Sequence, residues 1–131
     1  MATKTAGGAV TGRLGITCEA GEALVIADVV ELTASYTVAK PTAKGSNKIL
    51  GHVAVAGGSG KDITVEARGD HIETLQSGEA LTAVGPVIIG ANAKVYMYDD
   101  TSSPPDTPDM IYGLNLNTTT AAAQNVDVMP L

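Results

Sequence analysis

The chain has 131 residues, one small domain's worth, with no Phe or Trp, four Tyr, one Cys and a net charge of −6. A core drawn from Val, Ile, Leu and Ala suits a thin β-barrel or β-sandwich, and suits a pocket that stacks aromatic or sugar ligands poorly. No run of Lys or Arg is dense enough to neutralise phosphates, which sets nucleic-acid binding aside, and a single Cys excludes an intrachain disulfide.

The charge is uneven. Residues 1–68 hold seven of the eight basic groups against six acids, whereas residues 69–131 hold Lys94 against eight acids. Such a chain could attract a second copy head to tail, although a solvated acidic surface is the plainer reading. The N-terminus, MATKTAGGAVTGR, lacks the apolar core of a signal peptide, and no apolar stretch approaches the ~18 residues of a membrane span. The expectation is a soluble protein made in a cytoplasm, with no membrane partner.

Residues 1–20 are small and punctuated by Gly7, Gly8, Gly12 and Gly15, and read as an extended N-terminal arm carrying at most one short strand. The remainder, 21–131, reads as one β domain made of two pseudo-repeats, 21–77 and 78–131. Gly21-Glu22-Ala23-Leu24 returns as Gly78-Glu79-Ala80-Leu81, an offset of 57 (78 − 21). At that offset Ala27-Asp28-Val29-Val30 faces Val84-Gly85-Pro86-Val87, and Thr37-Val38 faces Lys94-Val95. In each copy an apolar strand enters a turn, Thr33-Ala34-Ser35 or Gly90-Ala91-Asn92, and a second strand follows to complete a hairpin.

The copies then diverge in loop length, Pro41 to Lys48 against the longer Asp99 to Met110 with Pro104, Pro105 and Pro108. Ile49-Leu50-Gly51 answers Ile111-Tyr112-Gly113 at an offset of 62 (111 − 49). The closing strands alternate cleanly, with Ile63, Val65 and Ala67 on one face in the first copy and Val126 and Val128 in the second. One match resists: the Ile-x-Gly alignment sets Val53 and Val55 against Asn115 and Asn117. An apolar face opposite a polar one implies a bulge at one glycine or a looser repeat. Residues 118–124 (TTTAAAQ) read as a polar loop.

The motifs that invite chemistry are each explained more simply. Gly57-Gly58-Ser59-Gly60-Lys61-Asp62 has Val55 where a phosphate loop needs Gly, and Asp62 where it needs Ser or Thr, so a hairpin loop is expected. Arg68-Gly69-Asp70 falls where a turn is needed. His52 and His71 lack a Cys, His or acid at metal spacing along one element; His52 is expected on a half-buried strand and His71 on the surface. Asp99, Asp100, Asp106 and Asp109 crowd one loop with three prolines and no Gly between Asp99 and Asp109, unlike a calcium loop, and read as an exposed acidic loop. Cys18 beside Glu19 has no neighbour to activate it. Nothing assembles a base, a nucleophile and an oxyanion donor, so no enzyme activity and no cofactor are expected.

The strand-and-turn segments carry a resemblance. Gly21-Glu22-Ala23-Leu24 leading to Asp28-Val29-Val30, Ile49-Leu50-Gly51 leading to Val53-Ala54-Val55, the Thr64-Val65 strand and the stretch Gly90 to Tyr96 make the chain similar to the capsid decoration, or cement, proteins of tailed phages. The resemblance covers most of residues 20–131. It implies an all-β structural protein on the exterior of a virion, trimeric at threefold and quasi-threefold positions, with the major capsid protein and its own copies as partners. On that reading, contact residues are expected in the arm (Thr5, Val10, Arg13 and Leu14) and in the long loop (Asp99, Asp100, Asp106 and Asp109). The alternative is another virion or adhesion β-module, such as a tail or fibre domain, binding a surface glycan or protein through Tyr96, Tyr98 or Tyr112.

Overall fold

The computed structural model describes residues 14–69 and 71–131. Thr5, Val10, Arg13 and Asp70 lie outside them. The described chain is all-β, ten strands with two short 3₁₀ turns, and it divides into two compact units. The first comprises residues up to Lys40 together with Leu50–Arg68, and the second Pro41–Ile49 with Gly69–Leu131.

In the first unit, β1 (Gly15–Ala20), β2 (Val29–Ala34), β3 (Thr37–Ala39), β4 (Ile49–Val55) and β5 (Asp62–Ala67) close a barrel in the order β1-β3-β2-β4-β5. Strands β1 and β5 run antiparallel with Cys18 opposite Ile63 and Ile16 opposite Val65, while β1 meets β3 in parallel at Ala20 and Val38. The interior is Cys18, Ala20, Leu24, Val30, Val38, Val53, Ile63 and Val65. An eight-stranded barrel is just wide enough for side chains to fill, so five strands leave room only for compact residues. That is the physical content of a core without Phe or Trp.

The predicted division after residue 20 does not follow the strands. Gly15–Ala20 is a barrel strand held on both edges, and Leu14 already accepts a hydrogen bond from Ala67 N–H through its carbonyl, at 2.9 Å.

The second unit repeats the plan. Its strands are β6 (Glu73–Gln76), β7 (Pro86–Ile89), β8 (Val95–Met97), β9 (Ile111–Asn115) and β10 (Asn125–Pro130), in the order β6-β10-β9-β7-β8. The order matches the first barrel strand for strand. The closing contact is reduced to one parallel bridge, Ser77 to Val95, at the positions equivalent to Ala20 and Val38. Equivalence extends to single bonds. Gly21 N–H donates to Val38 O and Gly78 N–H to Val95 O, each at 2.8 Å. Glu22 accepts from Lys40 N–H at 2.8 Å and Glu79 from Met97 N–H at 2.9 Å.

The glycines at the centre of β4 and β9 are equivalent too. A Cβ on Gly51 would lie 1.8 Å from Glu66 O, and one on Gly113 would lie 2.2 Å from Met129 O. Only hydrogen fits where the neighbouring backbone comes so close.

The mismatch expected along the Ile-x-Gly strand does not occur. Val53 N–H donates to Asp28 O and Asn115 N–H to Gly85 O, the same ladder bond in both units, and Val53 and Asn115 are both buried. Asn115 keeps the inward position because its amide is satisfied there. Its Oδ1 accepts from Gly85 N–H at 2.8 Å, and its Nδ2 donates to Ala83 O and Asn117 O at 2.9 Å each. The bulge expected at one of these glycines is present: Val87 pairs with Gly113 but Ile88 with Ile111, which leaves Tyr112 as the extra residue, and further register shifts fall between Val53 and Val55 and between Leu32 and Ala34.

Among the described residues the first unit holds three basic groups and six acids and the second holds three and seven. Lys44 and Lys48 belong to the second unit, and the described residues of both units carry net negative charge.

Candidate partner-binding loop

The longest loop of the second unit runs from Tyr98, whose N–H donates to Pro86 O at 3.0 Å, to the 3₁₀ turn Pro108–Met110. Three prolines leave it short of backbone donors. Its aspartates and hydroxyls supply the structure instead. Asp99 Oδ1 accepts from Thr101 N–H at 2.9 Å and from the Thr101 hydroxyl at 2.6 Å. The Asp99 carbonyl accepts from the Ser102 hydroxyl at 2.9 Å and from Asp106 N–H at 3.0 Å. Asp106 Oδ2 returns the bond by accepting from Asp99 N–H at 2.8 Å. The two ends of the loop are thus clasped by a reciprocal pair.

Asp109 fixes the exit. It accepts from the Thr107 hydroxyl and, at 2.7 Å, from Asn47 Nδ2. The Thr107 and Asn47 donors hold its carboxyl below the usual range, and the Thr101 donors do the same for Asp99, with a smaller contribution from Lys44. At the entry, burial of the Tyr98 ring pushes its hydroxyl up, with the charges of Asp100, Asp106 and Asp109 adding to the effect. Lys44 also stands 5.3 Å above the Tyr96 ring, which packs against Gly78 and Gly90.

The four aspartates expected as one contact group therefore divide by role. Asp106 is buried and braces the loop, which corrects its reading as an exposed contact residue. Asp99 and Asp109 are exposed, with carboxylates engaged by the loop itself. Asp100 is exposed and makes no hydrogen bond among the described residues, so it presents the loop's outward charge. Leu14, from the expected arm, is exposed at the start of β1.

The other singled-out residues are placed as follows. His52 is half-buried on β4, as expected, and lies 3.0 Å from Glu66 of β5, its direct partner across the ladder. His71 is not on the surface. Its side chain is 9% exposed and its Nε2 lies 3.0 Å from Glu73 Oε2. Glu73 is itself buried and accepts a hydrogen bond from the Tyr112 hydroxyl. Tyr112 is fully buried, which removes it from the candidate glycan platform. Cys18 lies inside the first barrel, where burial raises its thiol pKa and disfavours the reactive thiolate. Residues 58–61 form the turn of the β4–β5 hairpin, closed by Lys61 N–H to Gly58 O.

The Glu73–Tyr112 pair escaped the sequence reading, although a signal was present. Glu73 alternates with Leu75, so an acid falls on the inward face of a strand and must find a donor there. The pairing of His52 with Glu66 has no such signal, because residues 14 apart meet only once the register is known.

No protein-family model matches the chain, and no curated protein matches it.

Proposed function

We propose that the chain is a structural virion protein that decorates a phage capsid and stabilises it by binding the outer surface of the major capsid protein shell, as a trimer at threefold and quasi-threefold positions. It acts by binding and catalyses nothing. The observation that carries this reading is the duplicated unit. One chain offers the same small strand framework twice, each copy packed with short side chains, and its longest loop is stiffened by its own carboxylates. A preformed loop loses little entropy on docking. Around a symmetric shell every contact is repeated, so interfaces that are weak singly add by avidity.

The test is to add the purified chain to empty shells of the major capsid protein encoded in the same genome and image them by cryo-microscopy. The expected result is trimeric density on the outer surface at the threefold positions. Shells that stay bare, or density on the inner surface or the tail, would overturn the proposal.

A further inference from the structure

Each unit has a rim where the turn before its second strand runs beside the end of its fourth. In the first unit the two segments are tied by Leu24 and Gly57 at one end and by Asp28 and Val53 at the other. Between the ties stand Val25, Ile26 and Val55, which are 63%, 67% and 56% exposed. In the second unit the ties are Leu81 with Thr119 and Gly85 with Asn115, and between them stand Val84 and Leu116, 65% and 47% exposed.

Single exposed apolar residues need no explanation, but a group on one rim that recurs in both copies does. The side chains are not inherited position for position: Val25 and Ile26 are matched by Thr82 and Ala83, and Val55 by Asn117. Both rims expose apolar side chains, and different positions supply them. The strand framework does not demand this, since Thr82 and Asn117 fill equivalent places.

Resting on the shell-binding reading, we infer that these rims are the surfaces that meet the shell, and that their occupant is an uncharged, apolar face of the shell protein, repeated from subunit to subunit. Charge argues for that occupant. The rim segments 24–28, 53–57, 81–85 and 115–119 contain one charged residue, Asp28, whose carboxylate is turned onto Val25 N–H at 2.9 Å. Nucleic acid or an anionic membrane would require cations there. An array of identical subunits is the partner to which a twice-offered surface corresponds.

The test compares the wild-type chain with Ile26→Asp, Leu116→Asp and the double variant in binding to the same empty shells, with Ile72→Asp, exposed outside both rims, as a control. Ile26→Ser and Leu116→Ser serve if an Asp variant misfolds by circular dichroism. Each single variant is expected to weaken binding about tenfold and the double variant by about the product, as for residues at the centre of an interface. The control is expected to bind as wild type. Undiminished binding by the double variant would overturn the inference and leave the shell-binding reading standing. So would an effect confined to one rim, or rim variants that change self-association and not shell binding. A wild-type chain that does not bind shells would instead sink the functional reading, and this inference with it.

Discussion

The two units solve the same packing problem with different chemistry. At the inward position near the end of the fourth strand, the first uses Val53 and the second Asn115, both buried and each held by the same backbone hydrogen bond. Hydrocarbon needs only contact there, whereas the amide needs partners for three hydrogen bonds and finds them on Gly85, Ala83 and Asn117. A second exchange involves two residues at once. Ile16 and Leu50, packed against the first core, correspond to Glu73 and Tyr112, which are hydrogen-bonded to each other. The contents of a strand position are therefore free to change class, provided that each buried polar atom arrives with its partner. What stayed fixed is backbone geometry: strand order, the Glu22 and Glu79 braces, and the close approach at Gly51 and Gly113.

The largest effect expected from this comparison lies at those glycines. Gly51→Ala and Gly113→Ala would each drive a Cβ into backbone that cannot move without opening the ladder. Each is expected to cost about 3 kcal/mol, the upper end of the range for overpacking. Urea denaturation of the two variants measures it. A loss under about 1 kcal/mol at either site would mean that the units do not share the close approach.

Exchanging the residues at the inward position should be unequal in cause, though both directions destabilise. Asn115→Val removes an acceptor from Gly85 N–H and a donor from two carbonyls, for an expected loss of about 2 kcal/mol. Val53→Asn puts an amide into the apolar interior formed by Leu24, Val30, Ile63 and Val65, for an expected loss of about 3 kcal/mol. Equal stability of Asn115→Val and wild type would show that the amide network contributes nothing to the second unit.

Strand identity and the repeat were legible in the sequence because both are periodic. The alternation of Ile63, Val65 and Ala67 and the return of Gly-Glu-Ala-Leu each place a residue by its neighbours in the chain. The inward place of Asn115 is not legible in the sequence, because polarity ordinarily marks an outward residue and two of its three partners lie on a segment about 30 residues away. The same limit governed the acidic loop. Its aspartates stand out in the sequence, yet which of them brace and which face outward depends on the clasp between Asp99 and Asp106 and on Asn47, 62 residues before Asp109. The sheltered place of His71 is illegible for a related reason, since it depends on its partner Glu73 being buried.

The smallest expected effect separates the loops by which the copies differ most. Asp109 carries a carboxyl held below its ordinary 3.8, first by the Thr107 hydroxyl and then by Asn47. A folded-state pKa below the unfolded value means that the bonded carboxylate adds to stability above the ordinary carboxylate range, and that this contribution is lost as pH falls through the folded pKa. Because the group is exposed, the gain is small and screened by salt, so its titration is the sensitive observable and not the melting curve. Thr107→Val should return the Asp109 carboxyl towards its ordinary value, and Asn47→Ala should do so to a smaller extent, both followed by NMR of the carboxyl carbon between pH ~2 and ~6. An unchanged titration in Thr107→Val would mean that the hydroxyl does not hold the carboxylate in solution. The exit of the loop would then be shaped by Asn47 and the prolines alone.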